Sequence, residues 1–225
     1  MMLDNYMRKI RIVGVLVMLA LLSACATNIV VDGNVPSPLI NRLPLTASVT
    51  YSEELKNFTY TENERARSAN LKSLNLSDAQ IVMFDQVFDK LFNMVSPESA
   101  SSELNITPQI LDFQYSAPAE TQLKLYEVWL KYRIQVTDSQ NENLADWVVK
   151  GYGKTPAGGT FASAGKALNA ATNVALRDVG AQLSIGFEKQ PSIQGLLAGA
   201  NKAPARSVLS GQTSDDSEPS TGGSQ

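Results

Sequence analysis

The chain contains no histidine and a single cysteine, Cys25. The lack of histidine excludes Ser-His-Asp and Cys-His catalysis and removes the commonest zinc ligand. One cysteine cannot form a disulfide within the chain, so packing must stabilise the fold. A basic face is also not expected, because the net charge is -3, and this argues against nucleic acid as a partner. We therefore expect a protein that is not an enzyme and that holds neither a metal nor a cofactor.

The N-terminal apolar run is too short for an ordinary membrane span. It covers residues 12–22 and follows a positively charged segment at residues 8–11, which is the order found in a secretory signal peptide. The run ends in Leu22-Ser23-Ala24-Cys25. This sequence resembles the lipobox of bacterial lipoproteins at every position. The alternative is an ordinary cleaved signal followed by a chance cysteine.

The lipobox resemblance implies a covalent lipid anchor at Cys25. The thiol would receive a diacylglyceryl group, cleavage would follow Ala24, and the new amino group would be acylated, with palmitate as a typical chain. Two or more acyl chains hold a protein stably on a membrane, whereas one chain does so only marginally. Ala26, not aspartate, follows the cysteine. By the enterobacterial sorting rule this implies the outer membrane, with the protein facing the periplasm.

Composition shifts divide the chain into four predicted parts. Residues 1–24 are the signal peptide, and the polar residues 25–43, which include glycine and proline, are expected to form the acylated cysteine and a tether. A folded periplasmic domain is expected over residues 44–200, followed by a disordered tail rich in serine, glycine and aspartate over residues 201–225. Within the domain, the charged stretch 52–75 shows no period and predicts a long loop.

Apolar and polar residues alternate over 45–51, 110–115, 126–137 and 144–152, which predicts four strands. We expect the last two strands to form a hairpin. Setting Asp138 opposite Leu144 sets Ile134 opposite Val148 and Leu130 opposite Tyr152. The side chains predicted to face inward are Leu45, Ala47, Val49, Tyr51, Leu111, Phe113, Tyr115, Val128, Leu130, Tyr132, Ile134 and Val148.

Helical periodicity predicts helices over residues 77–95 and 163–188, and one more short helix over 193–200. Ser77 and Gln80 have the spacing of a capping box at the start of the first helix.

The alternation within each strand predicts a sheet that is covered on one side only. We therefore predict an α+β fold, a two-layer sandwich in which a four-stranded mixed sheet carries two helices on one face, in the order β-α-β-β-β-α. If the first two strands are parallel neighbours, a right-handed crossover should join them.

This layout, together with the lipobox, resembles the lipopolysaccharide-assembly lipoprotein family and related small envelope lipoproteins, including the auxiliary lipoproteins of ABC-type transport. The resemblance covers roughly residues 25–190. It implies an accessory or assembly role in the envelope and an envelope protein as partner, without catalysis.

In the register given above, Trp129, Arg133 and Trp147 project from the open face of the sheet, with Trp147 across from Gln135. Large aromatic side chains beside a guanidinium anchor a protein partner or stack on a sugar. Alternatively, they only shield the backbone or lie under the tether or the tail, since scattered exposed aromatic residues need no functional explanation. Our leading hypothesis is a non-enzymatic accessory component of an envelope transport or biogenesis machine. The alternative is a lipid- or glycan-binding module whose ligand lies between the helices and the sheet.

Overall fold

A computed structural model describes residues 27–33, 35–62, 71–99, 101–158 and 163–202. The predicted signal peptide, the predicted lipidation site Cys25 and nearly all of the predicted tail lie outside these residues. The elements in chain order are β1 (Thr27–Val30), β2 (Thr46–Val49), α1 (Glu53–Lys56), β3 (Thr59–Thr61), β4 (Leu71–Asn75), α2 (Ser77–Leu91), β5 (Asn93–Met94), β6 (Leu104–Ser116), β7 (Leu125–Thr137), β8 (Asn143–Pro156), α3 (Ala164–Gly186), a 3-10 turn (Phe187–Lys189) and α4 (Pro191–Lys202).

The α+β class is confirmed, but the architecture contains more elements than predicted. The described residues form a five-stranded sheet in the order β5-β2-β6-β7-β8, a three-stranded sheet in the order β1-β4-β3, and four helices. In the larger sheet, β2 is parallel to β6, whereas β7 is antiparallel to both β6 and β8, so the sheet is mixed, as predicted. The predicted four-stranded sheet is thus the core of a larger one, and the second sheet was not predicted.

The core lies between the larger sheet and the helices α2 and α3, on one face of that sheet. Phe84 on α2 meets Tyr132 of β7 edge to face, with ring centroids 5.2 Å apart. Phe88 and Phe92 both contact Phe187, which follows α3. Four β7 side chains predicted to face inward are buried, which confirms that strand's pattern: Val128, Leu130, Tyr132 and Ile134.

Helix α3 lies directly on the edge strand β8, because two glycines leave room for its backbone. A Cβ atom on Gly153 would lie 2.0 Å from the carbonyl oxygen of Ala171 and 2.5 Å from the amide nitrogen of Ala175. A Cβ atom on Gly151 would lie 2.3 Å from the carbonyl oxygen of Ala175. Since real Cβ atoms essentially never come this close to backbone, the contact requires glycine at both positions.

The predicted capping box at the start of α2 is wrong. Leu76 occupies the cap position without a side-chain hydrogen bond, and Gln80 is fully buried instead of reaching back along the helix. The side-chain Nε2 of Gln80 donates to the carbonyl of Leu55, and its Oε1 accepts from the hydroxyl of Tyr132 at 3.0 Å. Tertiary hydrogen bonds thus replace the local cap that the spacing suggested. The helix also ends at Leu91, not at residue 95.

The segment predicted as a tether, 25–43, belongs to the folded domain from its first described residues. Strand β1 pairs in parallel with β4, and Ile29 and Val31 are buried in the core. The side-chain amide of Asn173 on α3 donates to the Asp32 carboxylate at 2.6 Å. The domain therefore begins well before the predicted boundary at residue 44.

The predicted loop over 52–75 is wrong wherever the structure describes it. It contains α1, β3 and β4, and Leu55 and Leu74 are fully buried. Phe58 and Tyr60 are half-buried and pack on the core. These elements are too short to show a period, so their burial is decided by tertiary contact.

A register shift in β6 changes the predicted facing of one residue. Between Ile110 and Asp112 the pairing with β7 skips Leu111, which is 48% exposed. Phe113 is buried and Tyr115 half-buried, both as predicted. Leu111 was predicted to face inward, and that is wrong because one extra residue in a strand reverses the alternation at that point.

The predicted hairpin register is wrong by one residue. Ile134 lies opposite Trp147, not opposite Val148, and the pairing shifts again beside the hairpin loop. Because side chains alternate along a strand, a slip of one residue exchanges the two faces of β8. Val149 is therefore buried, and Val148, which was predicted to face inward, is 47% exposed.

Candidate functional site

The open face of the larger sheet, which we call the outer face, is the side remote from α2 and α3. Residues of β7 that alternate with its buried positions line this face: Glu127, Trp129, Lys131, Arg133 and Gln135. Trp129 is 39% exposed, whereas most large apolar side chains of this strand are buried. One exposed aromatic side chain needs no functional explanation, so its neighbours decide whether it belongs to a contact surface for a partner or ligand.

Trp129 does not stand alone on the outer face. Tyr152 of β8 lies directly opposite, with ring centroids 5.5 Å apart and planes inclined by 38°. The Tyr152 hydroxyl donates to the carboxylate of Glu127, which raises the Tyr152 pKa, and its backbone N–H donates to the Asp178 carboxylate at 3.0 Å. Hydrogen bonds at the hydroxyl and at the backbone N–H of Tyr152 thus hold the aromatic pair in place.

Next to this pair, Lys131 and Lys150 face each other across β7 and β8. Within the described residues neither ammonium group forms a hydrogen bond or an ion pair. Like charges placed directly opposite in a sheet are destabilising by a few tenths of a kcal/mol, roughly. An anionic group between the two lysines would remove that repulsion.

A cleft of about 580 Å³ joins these groups. We call it the aromatic–lysine cleft. The side chain of Gln114 donates to the Asp112 carboxylate at 2.8 Å on its β6 side. The outer-face residues that line the cleft are Asp112, Gln114, Trp129, Lys131, Lys150 and Tyr152.

Arg133 lies on the outer face, as predicted, but its guanidinium is already paired. Its Nε donates to Asp146 Oδ1 at 2.8 Å, and its terminal nitrogen contacts the second oxygen of the same carboxylate. This bidentate contact raises the Arg133 pKa and lowers the Asp146 pKa. Since Arg133 is four residues from Trp129 on one strand, their Cα atoms are about 13 Å apart. The two residues therefore share a face without forming one site.

Trp147 is not on the outer face. It lies opposite Ile134 on the inward side, where its ring meets Phe187 edge to face at a centroid distance of 5.0 Å. It is half-buried and packs on the core. The predicted site of Trp129, Arg133 and Trp147 is therefore not assembled, and the one-residue error in register is the reason.

Sequence reasoning missed Tyr152, Lys131 and Lys150 as members of the site. In the correct register, the alternation of β8 places Lys150 and Tyr152 beside Lys131 and Trp129. The glycines at positions 151 and 153 carry the signal for that register, because a helix can approach only the glycine face of the strand.

No group of three or more acidic, histidine or cysteine side chains in the described residues is arranged to hold a metal. Among the helices that the structure describes, none has the length and apolar character needed to cross a bilayer.

No protein-family model matches the chain, and no curated protein matches its sequence. Solved structures resemble it at low identity. A DUF330-family protein from Xanthomonas campestris aligns with a TM-score of 0.46 and 12% identity, over 80% of this chain and 99% of that one. A candidate lipoprotein from Caulobacter crescentus gives 0.42 and 7%, over 68% and 91%. A minor lipoprotein from Acinetobacter baumannii gives 0.34 and 9%, over 69% and 94%. A functional assignment must therefore come from this chain's own residues.

Proposed function

We propose that this protein is a lipoprotein of the bacterial envelope, acylated at Cys25 and held on the periplasmic side of the outer membrane. It serves as a non-enzymatic accessory component of an envelope transport or biogenesis machine. The sequence Leu22-Ser23-Ala24-Cys25 after a signal-like apolar run is the observation that carries the proposal. A covalent lipid explains why a chain with a secretion signal has one cysteine and places it at this position.

The anchor is tested by metabolic labelling with a palmitate analogue in cells that express the full chain. The wild-type protein is expected to incorporate label and to fractionate with outer membranes, and Cys25→Ser is expected to lose both properties. A serine variant that is processed normally and stays with membranes, or a wild-type protein without label, contradicts the proposal.

The outer face is the surface through which we propose that a partner protein docks. Tyrosine and tryptophan are favoured at such contacts because they bury a large area with few rotatable bonds. Trp129 and Tyr152 supply this area, and the hydrogen bonds of Tyr152 fix it before binding. Such preorganisation reduces the entropy lost on docking.

Docking is tested by crosslinking in intact cells, followed by purification of the full-length protein. Trp129→Ala and Tyr152→Ala are expected to lose the crosslinked envelope protein. Leu39→Ala removes an equally apolar side chain that is fully exposed near α3's carboxyl end, and it serves as the matched control. Unchanged crosslinking in both aromatic variants would remove the outer face from the proposal.

A second candidate function is binding of a glycan that carries an anionic group, and the aromatic–lysine cleft favours it. The interior between helices and sheet, where such a ligand was first expected, is occupied by buried side chains. The cleft instead offers two stacking rings beside two ammonium groups without partners. Native mass spectrometry of protein extracted in mild detergent separates the candidates. A bound small ligand that is lost in Lys131→Gln favours the module, and a bound protein favours the accessory role.

A further inference from the structure

A single residue separates the proposed lipid anchor at Cys25 from the first strand of the folded domain. Strand β1 begins at Thr27, so Ala26 alone lies between it and the acylated Cys25. Two residue steps span at most about 7 Å. If Cys25 is acylated, as proposed above, this spacing holds the end of the domain that contains Thr27 against the bilayer.

Strand pairing identifies the residues at that end. Thr27 pairs with Leu71 where β1 and β4 both begin, and the antiparallel β3 ends beside the same part of β4, at Thr61. The next residue, Glu62, accepts a hydrogen bond from the Tyr115 hydroxyl. The start of β1 therefore lies at the end of the molecule where β6 terminates.

The turn that connects β6 to β7, residues 117–124, closes this end. Its Glu120 accepts from the amide of Ala117 at 2.8 Å. Burial is the main cause of the raised pKa of Tyr60 on β3, and the nearby carboxylates of Glu62 and Glu120 raise it further. The end of β8 lies here as well, because the amide of Ala157 donates to the carbonyl of Lys124. We call this region the anchor end.

The anchor end carries side chains suited to a lipid surface. Leu123, in the turn, is 75% exposed. Lys124 follows it and adopts a positive φ of 54°, a conformation that residues other than glycine adopt only rarely. The carboxylates nearby are engaged, Glu62 by Tyr115 and Glu120 by the backbone. An apolar side chain next to a free ammonium suits the boundary between acyl chains and phosphates.

We propose that the anchor end rests on the bilayer, with Leu123 at the headgroup–acyl boundary and Lys124 at the lipid phosphates. The lipid surface is the partner, and the short spacing between Cys25 and β1 sets the orientation. The long strands β6, β7 and β8 then rise away from the membrane. Leu39 lies near Ile185 and Glu188, at the carboxyl end of α3. That end is opposite to the anchor end, because α3 runs along β8 from Ala171 beside Gly153 to Gly186 beside Trp147.

The test uses the full-length lipidated protein in vesicles of phosphatidylethanolamine and phosphatidylglycerol. Because Cys25 would be acylated, an introduced cysteine is the single free thiol, and an environment-sensitive dye is attached to Leu123→Cys or, as control, to Leu39→Cys. Both leucines are exposed, so neither change should disturb the core. Lipids that carry a quencher near the headgroup report the depth of the dye.

The dye at residue 123 is expected to be quenched several-fold more than the dye at residue 39. A flexible glycine-serine insertion between Ala26 and Thr27 should reduce this difference. Equal quenching at the two sites in protein that floats with the vesicles overturns the orientation and leaves the anchor intact. Quenching at residue 123 that the insertion does not weaken overturns the role of the spacing. Protein that fails to float overturns the anchor and this inference together.

Discussion

The substitution Gly153→Ala tests whether α3 rests directly on β8. The added Cβ atom would lie 2.0 Å from the Ala171 carbonyl oxygen, although ordinary contact begins only at 3.4 Å. Both groups it meets, in Ala171 and Ala175, are backbone atoms in the middle of a helix, so neither can rotate away. The helix and the strand must separate, and that separation loosens the packing of neighbouring inward residues such as Val179.

The expected cost is about 3 kcal/mol of unfolding free energy, at the upper end of overpacked core substitutions, because no flexible side chain absorbs the clash. For a domain of this size, such a loss lowers Tm by about 6–12 °C. The matched control is Gly195→Ala in α4, where an added Cβ atom meets nothing within 4 Å. Alanine is favoured over glycine in a helix by about 1 kcal/mol, so this variant should be slightly more stable than wild type.

Thermal unfolding of the three proteins, followed by circular dichroism in the same detergent, measures the difference. The two variants should move Tm in opposite directions. If Gly153→Ala unfolds within about 2 °C of wild type, a shift that corresponds to less than 1 kcal/mol, then α3 does not contact β8 at this position and the close approach is refuted.

Three further predictions concern the core. Val31→Ala should lower the unfolding free energy by about 2 kcal/mol and the adjacent Val30→Ala by less than about 0.5 kcal/mol, because Val31 is 3% exposed and Val30 is 71% exposed. Chemical denaturation measures both losses, and equal losses would indicate a free tether. Gln80→Leu should destabilise more than Tyr132→Phe, by about 2–3 against 1–2 kcal/mol, because it removes two hydrogen bonds and not one. It leaves the buried Tyr132 hydroxyl without a partner and the Leu55 carbonyl with backbone donors such as the N–H of Phe58. Urea titration of each variant checks the order. Burial raises the pKa of Tyr132 above its unfolded value of about 10, so the stability that this residue contributes is complete below that pH and is lost as the pH rises above it. Tyr132→Phe should therefore weaken the alkaline loss of stability, and an unchanged pH dependence above about 10 would contradict this.

The parts of the fold that could be predicted are those where one period runs through a long element. Val128, Leu130, Tyr132 and Ile134 follow strict alternation on β7, and each is buried. The stripe predicted on α2 is confirmed in part, because Phe84, Phe88 and Leu91 recur at helical spacing and are buried. In the same predicted stripe, Ile81 is half-buried and Val95 lies beyond the end of the helix. Because burial of one face requires apolar residues at a fixed spacing, these patterns can be recognised in the sequence.

The hairpin register could not be predicted from strand alternation alone, because it also depends on loop geometry. The Asp138 carboxylate accepts from the backbone amides of Gln140 and Glu142, and Asn141 adopts a positive φ of 63°. This local folding around one side chain accompanies the pairing shift beside Thr137. Strand alternation is unchanged by a one-residue slip, so the turn chemistry and the glycine face of β8 decide which face each residue occupies. The misplacement of Trp147 follows from that choice.

The tether prediction failed for a different reason. Glycine and proline around Ile29 and Val31 suggested an extended linker, but these two residues alternate with the exposed Val30 in the manner of a half-buried strand. Four residues are too few for a period to be persuasive. The partner strand β4 lies more than forty residues away in sequence, so the pairing that buries β1 is invisible to a local pattern.

The position of β1 also limits what can reach the aromatic–lysine cleft. Trp129 is four residues along β7 from Leu125, so it lies about 13 Å from the anchor end. A long tether would let the cleft move through the periplasm and meet soluble partners at many heights. With the lipid anchor proposed at Cys25, a spacing of one residue to β1 would instead keep the cleft close to the headgroups. Under both proposals, the partner that Trp129 and Tyr152 contact must itself lie at the membrane, as a membrane protein or as a glycan carried on lipid. Lengthening the spacing by a flexible insertion should therefore weaken crosslinking at the outer face even though every residue of that face is unchanged.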